Sequence, residues 1–112
     1  MDFYFEKDDL KAFNKGILGE DAPEYWDKFM TYYGSVFEDG ALTAREKSLI
    51  AYAVANLIGC PYCVEAYTKD LIQKGCEKEE LAEAIHAASA LRAGALLAQS
   101  VQSKKLADRI SF

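Results

Sequence analysis

One histidine, one tryptophan and two prolines are all that this 112-residue chain carries of those residues, and its basic side chains are outnumbered. Lysine plus arginine total 13 against 18 acidic residues, for a net charge of −5 and an isoelectric point near 4.8. That deficit of positive charge argues against partners recognised through phosphate, so neither nucleic acid nor an anionic membrane surface is expected. Long apolar runs are also lacking. The longest uncharged stretch, Ser48 to Val64, holds Asn56, Gly59 and Pro61 and stops at Glu65, which falls short of a membrane span. The first ten residues include Glu6, Lys7, Asp8 and Asp9 and show no basic stretch followed by an apolar one. Three cysteines, an odd number, do not suit a secreted disulfide scaffold. The expected location is cytoplasmic. Strand-like alternation is missing too, which removes the β classes.

What is present is an ordinary globular composition, 51% hydrophobic and 28% charged, of a length that fits one domain over 1–112. Proline and glycine divide it into helical segments. A short helix is expected from Asp8 to about Gly16, and a second opens at Pro23, where a missing N–H costs nothing. On the second, Tyr25, Phe29, Tyr32 and Val36 form one apolar row, and Trp26, Met30, Tyr33 and Phe37 form the next. Thr43-Ala44-Arg45-Glu46 reads as a capping box, followed by a stripe of Leu49, Ile50, Ala53, Val54, Leu57 and Ile58 expected to be buried. Gly59 stops that helix. Cys60-Pro61 starts a fourth, ending near Lys74 with Gly75 beyond it. A fifth starts near Lys78, Gly94 is expected to bend or break it, and a last helix ends near Arg109.

Ten of the fourteen aromatics lie in the first 37 residues, whereas alanine dominates from Ala41 onward. Apolar stripes at helical spacing mean core, so an all-α bundle of about six helices follows. A single core is marginal at this size, and the two-row face of the second helix is expected to be buried between subunits.

The strongest local chemical signal is Cys60-Pro61-Tyr62-Cys63. A thiolate at a helix N-terminus faces unpaired N–H groups and the positive end of the dipole, which lowers its pKa. Spacing of i, i+3 puts both sulfurs on one side of the first turn, where one can attack and the other resolve. Two other readings of the cysteines stay open. Both thiols could be inert and buried. A structural zinc would have to use Cys60, Cys63, Cys76 and His86, whose spacing matches no common finger or ribbon. Cys76, directly after Gly75, reads as a small packing residue.

The stretch LTAREKSLIAYAVANLIGCPYCVEAY, from Leu42 to Tyr67, resembles the core of the alkylhydroperoxidase AhpD-like, carboxymuconolactone decarboxylase superfamily. The Gly75 stop, the EELAEAIHAASALRAGA segment and the last apolar helix extend the likeness over about residues 25 to 105. YYGSVFEDGALTAREK, CPYC followed by AYT, and Ala84-Ile85-His86 resemble most closely the arsenosugar biosynthesis-associated, peroxidase-like branch. The resemblance implies an all-helical AhpD-like bundle assembled as a homotrimer or homohexamer. It also implies a thiol-dependent peroxidase or disulfide reductase that takes a hydroperoxide or disulfide and is recharged by a thiol reductant protein or a dithiol, without a cofactor or metal. By this analogy Cys63 is the peroxidatic cysteine and Cys60 the resolving one.

Two positions depart from the family pattern. A glutamate twelve residues before the first cysteine and a histidine four after the second are replaced by Ser48 and Tyr67. Tyrosine, with a pKa near 10, is no base at neutral pH, but its hydroxyl can donate a hydrogen bond to a thiolate. The proton relay is thus missing or rebuilt. Glu65, two residues from Cys63, points elsewhere, and Glu46 is committed to the capping box. His86, the only histidine, is either a hydrogen-bonded core residue or a group acting near the cysteines. The candidate catalytic residues are Cys60, Cys63, Tyr67 and His86. The competing reading is a noncatalytic member that binds a small molecule or protein partner.

Overall fold

A computed structural model describes residue 6 and residues 8–110. Local signals mark several of the helix ends. A first helix, α1 (Asp9–Asn14), leads through a single 3-10 turn (Ile17–Gly19) into α2 (Pro23–Val36), which opens on its proline. Then come α3 (Ala44–Ile58), α4 (Pro61–Gln73), α5 (Lys78–Gln99) and α6 (Val101–Ile110). No strand occurs among the described residues. At the head of α3 the Thr43 Oγ1 accepts the Glu46 N–H at 3.0 Å, and Glu46 accepts the Thr43 N–H at 2.8 Å, so the capping box is formed.

The buried centre of the chain is small. Tyr52 from α3, Leu71 from α4, Cys76 and Leu81 from α5 are buried together, with Leu49, Tyr67, Ala84 and Ile85 packed around them. Leu71 is wholly enclosed. The side of α3 turned inward is Ser48, Tyr52 and Ala55. That corrects the expected stripe, because Ile50, Val54, Leu57 and Ile58 lie exposed. Their apolar character marks a face that avoids water, but no element among the described residues covers it.

α2 shows the two rows separately. Trp26, Tyr33 and Phe37 are half-buried and stack in sequence with Phe13 and Phe29, with ring centroids 5.0–6.1 Å apart. Tyr25, Phe29, Tyr32 and Val36 remain open to solvent. The interruption expected at Gly94 is absent, since α5 continues as helix to Gln99. A helical glycine costs only about 1 kcal/mol, which flanking alanines and leucines offset. The break falls at Ser100 instead, whose Oγ donates to the Leu97 carbonyl at 2.7 Å.

Candidate functional site

Gly59 takes φ +72° and turns the chain from α3 into α4, while the Cys60 N–H donates to the Ala55 carbonyl at 3.0 Å. Cys60 is the N-cap of α4 and Pro61 its first helical residue. The Cys60 sulfur accepts the Cys63 N–H at 3.2 Å, so a thiol occupies the place where serine or aspartate usually caps a helix. Cys60 and Cys63 are joined as a disulfide, with Cα atoms 5.3 Å apart, and both residues are partly accessible. Negative charge developing on either sulfur meets the positive end of the α4 dipole, and on Cys60 it also meets the Cys63 N–H.

Tyr67 lies one turn beyond Cys63 on the same face of α4. Its ring packs on Phe37 with centroids 5.4 Å apart, and its hydroxyl is hydrogen-bonded to that of Tyr33 on α2. Burial, then the Tyr33 hydrogen bond, then the charge of Asp70 push the phenol well above the usual tyrosine range. Tyr67 therefore keeps its proton whenever a thiol ionises. It can donate but cannot act as a base.

Ser48, the other departure from the family pattern, is buried, and its Oγ donates to Asp70 Oδ2 at 2.6 Å. Burial alone would raise the Asp70 carboxyl. Hydrogen bonds from Lys74 and Ser48, with the Lys74 charge, outweigh it and hold the carboxyl below the usual range. A carboxylate is thus present after all, carried on α4 and facing the α3 position where the family has glutamate. On the other side of the dithiol turn, the Tyr62 hydroxyl donates to Asp9 Oδ2 at 2.7 Å. The Glu6 N–H and Tyr62 together hold the Asp9 carboxyl low.

The remaining candidates lie elsewhere. His86 is exposed on α5, a helix that packs on α3, and it has no hydrogen bond or ion pair among the described residues. Glu65 pairs with Lys69 at 3.1 Å, and Glu46 is held in the capping box. Cys76 is buried in the core, where burial, then the Glu80 charge, raise its thiol. The structure thus pairs Cys60 with Cys63, sets Tyr67 one turn further along the same helix in contact with Tyr33, and adds the carboxylates of Asp70 and Asp9 through Ser48 and Tyr62. Asp70 had one readable signal, its place seven residues after Cys63 and so on the same helical face. Tyr33 had none, because its row reads as core.

The sequence profile of the carboxymuconolactone decarboxylase family matches residues 23–102, which include the aromatic helix, the dithiol turn and most of the long α5–α6 arm. The chain is 40% identical over 84 residues to uncharacterized protein 4 in the cox locus of Paracoccus denitrificans, covering 75% of this chain and 76% of that protein. It is 34% identical over 70 residues to an uncharacterized protein of Cupriavidus necator, covering 62% of each. Since the matched region carries both the helical scaffold and the cysteine pair, the chain belongs to the carboxymuconolactone decarboxylase family.

Proposed function

We propose that this protein is a thiol-dependent oxidoreductase that reduces a hydroperoxide or a disulfide by cycling Cys60 and Cys63 between dithiol and disulfide. The observation that carries the reading is the bonded cysteine pair capping the N-terminus of α4. With a hydroperoxide, the Cys63 thiolate attacks the terminal oxygen, the O–O bond breaks, Cys63 becomes a sulfenic acid, and the departing alkoxide takes a proton from water to leave as the alcohol. The Cys60 thiol then attacks that sulfur, water leaves, and the disulfide forms. A dithiol or thiol protein returns both residues to thiols and is itself oxidised to a disulfide. The long likeness to the AhpD-like branch with CPYC supports this reading. The arsenosugar-associated placement rests on motif likeness alone.

The working unit is a homo-oligomer. Apolar faces on α2, α3, α5 and α6 are left open by the protomer and support that assembly. Hydroperoxide consumption coupled to oxidation of an added dithiol is the test. Turnover should be lost in Cys63→Ser. A protein whose cysteines stay inert to mild peroxide would defeat this reading and favour a noncatalytic binding role.

A further inference from the structure

Cysteine chemistry alone leaves one contact at the site unexplained. α2 packs along the Ile17–Gly19 turn and meets α4 through Tyr33 and Phe37, both of which close on Tyr67. A ring contact would suffice to fasten a helix. The partly buried hydroxyl pair between Tyr33 and Tyr67 adds a directional element.

Resting on the oxidoreductase reading above, we propose that Tyr33 is a positioning residue for Cys63. With Cys63 ionised, the Tyr33 hydroxyl turns to donate to the Tyr67 oxygen, which frees the Tyr67 proton, otherwise given to Tyr33, for the Cys63 thiolate or for the oxygen leaving that sulfur. Tyr67 stands one turn after Cys63 on α4, and helical side chains lean towards the N-terminus, which is the direction of that sulfur. Either phenol could be the donor in a hydroxyl pair. Once Cys63 is reduced and ionised, its negative charge selects the arrangement in which both O–H bonds run towards sulfur. Hydrogen bonds to an ionised acceptor are the strong ones, and consecutive bonds polarise one another. The chain Tyr33 to Tyr67 to Cys63 would therefore favour the thiolate.

The charged surroundings make such a donor necessary. Asp70, with its partner Lys74, lies along the same face of α4, and Asp9 reaches the dithiol turn through Tyr62. Tyr52 of α3 belongs to the core cluster on which Tyr67 packs, beside the buried Ser48. α1 and α4 thus contribute carboxylates, which oppose a nearby thiolate. The helix N-terminus and the tyrosine pair are what offset them.

The test is the pH profile of iodoacetamide alkylation at Cys63 in the reduced protein, read cysteine by cysteine by mass spectrometry. Tyr33→Phe and Tyr67→Phe should each move the Cys63 midpoint upward by about half a unit or more. The double variant should move it no further than Tyr67→Phe alone. Phe37→Leu, which disturbs the ring contact but keeps both hydroxyls, should leave the midpoint in place. A Tyr33→Phe protein that melts earlier with an unchanged midpoint would show a fastening role only and overturn the proposal. An unmoved Tyr67→Phe profile, or a Phe37→Leu shift as large as that of Tyr33→Phe, would overturn it too. A shifted profile in a protein that reduces neither a hydroperoxide nor a disulfide supports the tyrosine chain and sinks the oxidoreductase reading. Turnover with an unshifted Tyr33→Phe profile sinks the chain alone.

Discussion

When an outside thiol attacks the Cys63 sulfur, the electron pair of the broken S–S bond leaves on Cys60, whose sulfur already receives the Cys63 N–H at 3.2 Å. A stabilised thiolate is a good leaving group, so capping by Cys60 favours the return to dithiol. The same geometry makes Cys60 the group that clears a sulfenic acid from Cys63. In Cys60→Ser, one equivalent of peroxide should leave a dimedone-reactive sulfenic acid on Cys63, whereas the wild type shows only disulfide. The buried Ser48 hydroxyl calls for a different measurement. Its bond to Asp70 helps to hold that carboxyl below the ordinary aspartate value of 3.8. A depressed carboxyl contributes stability above its unfolded pKa and loses it as pH falls through the folded one. Ser48→Ala should therefore cost about 1–2 kcal/mol near neutral pH, and the gap to wild type should narrow in acid below 3.8. Urea unfolding at both pH values measures it. A gap independent of pH would mean that the hydroxyl matters for packing and not for the carboxylate.

At the level of elements, the turn between α3 and α4 depends on Gly59. A Cβ there would meet nothing within 4 Å, so any penalty comes from the backbone at φ +72° alone. Gly59→Ala should lower stability by about 1 kcal/mol in denaturant unfolding, and it should disturb the placement of Cys60 through the N–H bonded to Ala55. This turn was legible in the sequence, as were the capping box at Thr43 and the proline starts of α2 and α4, because each is a signal within a few residues. The contacts that make the site were not legible. Ser48 and Asp70 are 22 residues apart and Tyr33 and Tyr67 are 34 apart, and nothing in either local stretch marks the other. The α3 stripe was misread for a related reason. Ile50, Val54, Leu57 and Ile58 have the spacing of a buried face, but periodicity shows only that a face is apolar, not which body covers it. Gly94 failed as a breaker because its neighbours are strong helix formers.

At the scale of the whole molecule, the chain is far more open than its mass predicts. A compact chain of 12.5 kDa exposes about 6,200 Å² and has a radius of gyration near 13 Å. This protomer exposes 8893 Å², with a radius of gyration of 19.1 Å and a longest extent of 59 Å. The excess is concentrated where apolar residues lie open. The Lys78–Ile110 arm carries Leu91, Leu96, Leu97, Val101, Leu106 and Ile110 exposed, and an open groove of about 890 Å³ runs between it and α3. By length and composition that arm could cross a bilayer. Its polar residues argue for protein as the neighbour. Arg92 would sit near the middle of a span, and Lys104, Lys105, Asp108 and Arg109 would burden its end. A second copy would cover such a face at lower cost, since its leucines and alanines could interdigitate with these while Arg92 and the distal charges stayed at a wet rim. Light scattering without detergent should therefore give a mass that is a multiple of 12.5 kDa, and Leu97→Glu should shift it towards smaller species with a lower melting temperature. A wild-type protein that is a stable monomer at micromolar concentration would refute the assembly. A protein recovered only with detergent would instead hand the arm to lipid.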